Sequence, residues 1–281
     1  MNLSRHLFAR IARPDDEYFE DADASALTCS ALQAGADVLT YWQRPPNVTR
    51  YEDDPRICVP ERLAYTSVDS LDHWLELIEP AARNKFRKHL KAGVEIRRCE
   101  LDDTFAAGMA AIFNESPVRQ GRKFLHYGKT AAQVKAQFSR YLHREEIWGA
   151  FRDGRLIGFL FIAIADRYVV IGQLISSLHH RDCAPTNALL SCAIRRTCEL
   201  GKPRLLYAYW LDDGLGSFKE DNAFLPMDCP RYWVPLTRRG RIYLALGLHR
   251  GIAGLFPNLC WHLKRVRRAW NTSRIGEALP V

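Results

Sequence analysis

The constraint that bears hardest on this chain lies in residues 148–224, WGAFRDGRLIGFLFIAIADRYVVIGQLISSLHHRDCAPTNALLSCAIRRTCELGKPRLLYAYWLDDGLGSFKEDNAF. Asp153-Gly154 stands between two apolar runs, 148–151 and 156–164. A two-residue Asp-Gly step in that position signals a tight hairpin, because glycine accepts positive φ without steric cost. A second turn at Asp166-Arg167 leads into 168–178, so three antiparallel strands are expected in succession.

After Leu178 the apolar period changes from 2 to 3.6. Leu189, Leu190, Ala193, Ile194 and Thr197 fall on one side, with Arg195, Arg196 and Glu199 on the other, which predicts a helix. Pro185 suits its first turn and Gly201 its C-terminal cap. Residues 205–209 form another short apolar strand, and a strand–helix–strand unit of this length makes a right-handed parallel crossover. The sheet is therefore expected to be mixed, an α/β (α+β) arrangement with an antiparallel meander on one side and a parallel β-α-β unit on the other.

Towards the N-terminus the signals thin. The first thirty residues carry Asp15, Asp16, Glu17, Glu20, Asp21 and Asp23 with few apolar anchors, and a loose start is expected. Residues 38–43 read as a strand, 44–60 as a proline-containing loop, and 63–68 as a second strand pairing with the first. Asp69 or Ser70 then caps a helix carrying Trp74, Leu75 and Ile78, which Pro80 interrupts. Residues 81–91 carry five cations, Arg83, Lys85, Arg87, Lys88 and Lys91, around Phe86 and Leu90. They form either a solvated face or a contact for a phosphate-rich partner. Residues 94–98 alternate as a strand. Residues 103–115 read as a helix with Phe105, Met109, Ile112 and Phe113 inward, and 130–144 as a further amphipathic helix. Between those helices lies SPVRQGRKFLHYGK, four cations interleaved with Phe124, His126 and Tyr127. Such a loop is either packed by its own aromatics or a binding surface.

At 281 residues the chain can bury a sizeable core. No apolar run reaches the roughly 18 residues of a spanning helix, and the N-terminus, with Arg5, Arg10 and Arg13 followed by acids, lacks a secretory apolar segment. A cytoplasmic location is the default expectation. Eight cysteines occur without a CxxC pair, which fits reduced thiols and neither a disulfide framework nor a zinc site; no metal is expected. The net charge is +8, yet nine cations and no acid lie between Arg238 and Arg274. Leu259, Leu263, Val266 and Trp270 make an apolar stripe there, beside Lys264, Arg265, Arg267 and Arg268. A helix of that kind docks on its own domain, lies on an anionic membrane or binds RNA.

The order of elements, together with Ala184-Pro185 before Leu189-Leu190 and the Gly-Leu-x-x-Phe-Lys pattern at 214–219, resembles the GNAT acyltransferase superfamily, and more closely its FemAB-like aminoacyl-transferase branch. The likeness covers residues 94–236. It implies a GNAT-like mixed sheet with helices on both faces and two splayed strands, here 168–178 and 205–209, between which the activated donor enters. Three regions follow: an N-terminal extension over 1–92, either a lid or a truncated second GNAT-like half, the acyltransferase core over 93–237, and the basic helical tail over 238–281.

The resemblance places donor contacts at Gln173, Ser176, Arg181, Ala184, Thr186, Asn187 and Phe218. The donor is acetyl-CoA or another acyl-CoA, or aminoacyl-tRNA. Ala184 and Thr186 stand where coenzyme A sites carry glycines, and Pro185 removes an amide donor, both of which weaken a pyrophosphate cradle. Lys219 is implied as the group that stabilises an oxyanion or an acceptor phosphate. For proton removal the candidates are His179, His180, Tyr209 and Asp212, or a substrate-assisted transfer with no protein base. Cys183, before a helix N-terminus and near two histidines, offers a nucleophile as the alternative mechanism. Acceptor contacts are expected from Arg119, Gln120, Arg122, His126, Tyr127 and Lys129.

The expected activity is N-acyl transfer to an amine, on a small molecule or a cell-envelope or polysaccharide precursor. Transfer RNA is a possible partner, and so is the inner face of the membrane through the basic tail. The competing expectation is a catalytically degenerate GNAT-like module that binds nucleic acid or anionic membrane. The sequence leaves the oligomeric state open.

Overall fold

The computed structural model describes residues 1–15, 23–42, 58–139, 142–143, 145–210 and 214–250. The chain divides into two compact units, Met1–Pro60 with Pro230–Val281, and Glu61–Cys229. The elements begin with β1 (Asn2–His6), β2 (Ala9–Arg13), α1 (Ala24–Gln33), β3 (Val38–Trp42), β4 (Cys58–Thr66), α2 (Leu71–Leu77), α3 (Pro80–Lys91) and β5 (Glu95–Cys99). Then come α4 (Asp103–Phe113), a small hairpin of β6 (Val118–Arg119) and β7 (Arg122–Lys123), α5 (Ala131–Phe138), β8 (Glu145–Arg152), β9 (Arg155–Ile164) and β10 (Val169–Ser176). The last are α6 (Pro185–Glu199), β11 (Leu205–Tyr209), α7 (Gly214–Asp221), β12 (Leu225–Pro235) and α8 (Arg238–Ala245).

In the unit Glu61–Cys229 the strand order is β4-β11-β10-β9-β8-β5. Asp153 and Gly154 both take positive φ, 51° and 75°, and turn β8 into β9 as the Asp-Gly step predicts. β10 runs antiparallel to β9, and α6 crosses over to the parallel β11. Strand β9 is buried on both faces. Its Leu160 and Ile162 join α2, α3 and α6 in one core, while Phe159 and Phe161 join α4 and α5 in another. Each such side chain contributes about 1.5–3 kcal/mol on full burial. Helices therefore cover both faces, as expected of the mixed sheet. Ser70 is the cap of α2, accepting from the His73 amide, and Pro80 opens α3 at its first turn. Helix α5 is shorter than the 130–144 pattern, ending at Phe138.

Two expectations are corrected. The strand at 63–68 does not pair with β3: β4 lies antiparallel to β11, with Leu205 opposite Thr66, whereas β3 pairs with β2 and β12. The connection over 43–57 is far longer than the two to five residues of a hairpin loop, so neighbourhood in sequence carried no pairing information. The start is also ordered where described: β1 and β2 form a hairpin turned by Leu7-Phe8, with Leu7 at φ 55°. No glycine, asparagine or proline marks that turn, and β1 is exposed along its whole length, so neither punctuation nor alternation reveals it.

The other unit orders its strands β1-β2-β3-β12. Helix α1 packs Ala31 against Ala12, Leu39, Tyr41 and Tyr232, and α8 packs Tyr243 against Ala9, Ile11, Val38 and Trp233. Helix α8 approaches β3 so closely that a Cβ on Gly240 would sit 1.9 Å from the Asp37 carbonyl oxygen. Among the described residues no helix is long and apolar enough to cross a membrane. The 259–270 stripe of the tail lies outside the described residues.

Candidate active site

The parallel ladder between β10 and β11 is short. Val169 pairs with Leu205 and Val170 with Leu206, after which the ladder ends although β10 runs on to Ser176 and β11 to Tyr209. Each strand is irregular at that point. In β10 the register against β9 shifts between Ile171 and Gln173, so Gly172 is the extra residue of a bulge. In β11 it shifts between Leu206 and Tyr209, with Ala208 at φ 47°. A bulge bends its strand and leaves the extra residue outside the ladder, so the bulges account for the splay. Gln173 and Ser176 are half-buried beyond this point on one strand, and Tyr209 is exposed on the other.

On the β11 side lies Lys219. Its Nζ donates to the Tyr209 carbonyl at 2.5 Å and stands 4.8 Å over the Tyr207 ring, and the residue is fully buried. Lysine is almost never fully buried unless its charge is held by partners. Burial pushes the Tyr207 phenol above its ordinary value and keeps it neutral. The Tyr209 carbonyl and the Tyr207 ring face orient the amine. Helix α7 is itself fixed from α2: the Trp74 indole donates to the Asn222 carbonyl at 3.0 Å, and the Glu79 amide to the Asp221 carbonyl at 2.9 Å. Phe218 borders the same core.

On the β10 side the chain leaves the strand through Ser177, His179 and His180. Ser177 is buried, His180 half-buried and His179 exposed. The Ser177 hydroxyl lies 2.6 Å from Glu115 Oε1 and 3.0 Å from His180 Nδ1, and it accepts from the His179 amide at 3.2 Å. Glu115 Oε2 accepts the Leu178 amide at 2.6 Å. Neither Glu115 nor Ser177 stands out in the sequence. The one local hint is a hydroxyl three residues before the second histidine.

Helix α6 opens beside this cluster. Ala184, at φ 49°, is its N-cap and makes no side-chain capping bond. Pro185 brings no amide, and the amides of Asn187 and Ala188 both return to the Ala184 carbonyl. Thr186 is tied by its hydroxyl to Ser176 at 2.6 Å. Asn187 is buried, with an amide nitrogen that finds no partner among the described residues. Arg181 is exposed at the mouth. Cys183 is fully buried; burial and the neighbouring Asp182 push its thiol up, against the pull of Arg152. A thiol so placed is no ready thiolate.

The 116–129 loop divides into an inner and an outer set. The Arg119 guanidinium turns inward, donating to the carbonyls of Ser176 at 2.8 Å and Ile112 at 2.5 Å and pairing with Glu115 at 3.4 Å. The His126 ring stacks on Phe113 at 4.6 Å, and burial with the Lys129 charge holds its pKa low. Lys129 bonds Gln137 and His126, while Asn114 clasps the loop through the Gly128 amide and the Lys129 carbonyl. Gln120, Arg122 and Tyr127 form the outer set and are exposed. Asp212 lies outside the described residues.

A mixed sheet with helices on both faces, whose two central parallel strands part over a helix N-terminus, defines a GNAT-like fold of the FemAB-like kind. The structural neighbours agree. The crystal structure of FemX matches at TM-score 0.63 and 12% identity, over 87% of this chain and 85% of that one. The structure of L-PGS from Bacillus licheniformis matches at TM-score 0.55 and 12% identity, over 87% and 83%. The C-terminal domain of a protein described as a lysylphosphatidylglycerol synthetase, from Agrobacterium fabrum, matches at 0.53 and 16%, over 89% and 84%. No family model matches the sequence, and no curated protein is close enough to count as a relative.

Proposed function

We propose that this protein is an N-acyltransferase that moves an aminoacyl group from an activated ester, aminoacyl-tRNA, to an amine on a small molecule or glycan precursor. The observation that carries this reading is Lys219, a fully buried ammonium held by a carbonyl and an aromatic ring at the edge of the strand splay. Attack of an amine on an ester places negative charge on the carbonyl oxygen, and a fixed cation in a dry site is worth most to a charge that appears only in the transition state.

The choice of donor rests on α6. A pyrophosphate held at a helix N-terminus needs several free amides, and here Pro185 has none while the amides of Ala184 and Asn187 are already bonded to the Arg181 and Ala184 carbonyls. The exposed face of α3, with Lys85, Arg87, Lys88 and Lys91, suits a polyanionic donor. One structural neighbour is described as a synthetase of an aminoacylated product, which supports an aminoacyl group as the one transferred.

The test is isothermal titration with acetyl-coenzyme A, alone and beside a nonhydrolysable aminoacyl-tRNA end analogue. The expected result is heat from the analogue and none from micromolar acetyl-coenzyme A. Tight coenzyme A binding would reassign the donor to an acyl thioester.

A further inference from the structure

The cluster at the end of β10 permits complete proton bookkeeping. A serine hydroxyl has one proton to give and two lone pairs to receive. Ser177 Oγ lies 2.6 Å from a carboxylate oxygen of Glu115, which can only accept, so the serine proton points there. One lone pair takes the His179 amide, whose proton is fixed by the backbone. The remaining contact, His180 Nδ1 at 3.0 Å, therefore has the ring nitrogen donating. The neutral imidazole carries its proton on Nδ1, and its Nε2 is left as an acceptor. Glu115 in turn is fixed by the Leu178 amide at 2.6 Å and by Arg119, so the relay cannot swivel.

We propose that Glu115 and Ser177 are positioning residues that hold His180 in its Nδ1–H tautomer, so that Nε2 receives the proton of the attacking amine. The inference rests on the acyl-transfer reading for its chemistry but not for its geometry. The amine nitrogen forms its bond to the acyl carbon, and the carbonyl electrons move to the oxygen. The nitrogen's surplus proton passes to His180 Nε2. Collapse of the intermediate breaks the bond to the donor oxygen, which takes that proton from Nε2 as it leaves. The imidazolium formed in between keeps its Nδ1–H bond to Ser177, and through it the Glu115 carboxylate, so its charge is stabilised without moving an atom.

The closing experiment is long-range proton–nitrogen NMR on the full chain labelled with ¹⁵N-histidine, with the His180 signals identified by their loss in His180→Gln. The expected spectrum of the neutral ring shows His180 with a protonated Nδ1 and a bare Nε2. Ser177→Ala abolishes that preference and Ser177→Thr, which keeps the hydroxyl, retains it. A wild-type spectrum with the proton on Nε2 overturns the proposal, whether or not the alanine variant folds. With donor and amine supplied, His180→Gln lowers kcat about 10²–10⁴-fold, and Ser177→Ala lowers kcat with KM unchanged; unaltered turnover in His180→Gln also overturns it. A protein that shows the Nδ1–H tautomer yet turns over no donor would leave the relay standing and refute the acyl-transfer reading.

Discussion

The Nζ of Lys219 and the carbonyl oxygen of Tyr209 are 2.5 Å apart, and this bond ties α7 to the last residue of β11. Because the lysine is fully buried, its charge and its packing make separable predictions. Lys219→Met keeps most of the stem and deletes the charge. It should lower kcat about 10²–10³-fold, the loss seen when one oxyanion-stabilising donor is removed, while stability drops by only about 1–3 kcal/mol, the cost of leaving the Tyr209 carbonyl without this donor. Steady-state kinetics beside calorimetry checks this. Full activity with a fallen Tm would make Lys219 a structural group.

Direct transfer and an acyl-enzyme differ at Cys183. Its thiol is fully buried and pushed up by that burial; burial pushes the Cys192 thiol up to about 12, whereas Cys29 is exposed. Iodoacetamide should modify Cys29 in the native protein and spare Cys183 and Cys192 until denaturant is added, as read by peptide mass. Cys183→Ser should turn over at near the parent rate. An inactive Cys183→Ser variant that still folds, or rapid labelling of Cys183, would restore the covalent mechanism.

The ion pair between Glu146 and Arg196 has a pH dependence of definite sign. Glu146 is buried and gripped by Arg196 through two bonds of 2.9 and 2.8 Å, which join β8 to α6. Burial alone would raise the carboxyl pKa, but the hydrogen bonds and charge of Arg196, with the charge of Arg98, outweigh it and hold the pKa below 4.5. A depressed folded value means the contribution is fully present above the unfolded pKa and disappears as pH falls through the folded one. Arg196→Ala strands the carboxylate and should cost about 3–5 kcal/mol at neutral pH, with the deficit shrinking in acid. Urea melts at pH 7 and pH 4 measure both; a deficit independent of pH would remove the ion pair as its cause.

The legibility of the chain follows the range of its interactions. The β8–β9 turn, the α6 pattern and the α4 core face are local, and the sequence read them with their boundaries nearly right. Pairings of β4 with β11 and of β3 with β12 depend on contacts that no window contains. At the site, Phe218-Lys219 was visible through a motif, yet the burial of Lys219 was not, because Glu220 and Asp221 beside it look like a solvated face. Glu115 and Ser177 meet across 62 residues and were missed. Arg119 was expected to face the acceptor from the loop's cationic composition alone; composition cannot tell that its guanidinium turns back to the ends of α4 and β10.

Gly240 supplies a test of the unit that contains β3. Its missing Cβ would overlap the Asp37 carbonyl at 1.9 Å and press on the carbonyl carbon at 2.9 Å, atoms of backbone that cannot rotate away. That carbonyl also accepts the Leu236 amide at 2.9 Å, and the Asp37 side chain accepts the Arg10 amide at 2.8 Å and the Thr237 hydroxyl at 2.7 Å. Displacing α8 to make room therefore strains three bonds at once. Gly240→Ala should destabilise by about 1–3 kcal/mol or more, as overpacking does, even though alanine is the better helix former by about 1 kcal/mol. Ala245→Gly, at an exposed position on the same helix, should cost only the propensity difference. Denaturant midpoints for the two variants decide the matter: a Gly240→Ala protein as stable as the parent would mean that α8 does not sit against β3 as closely as described.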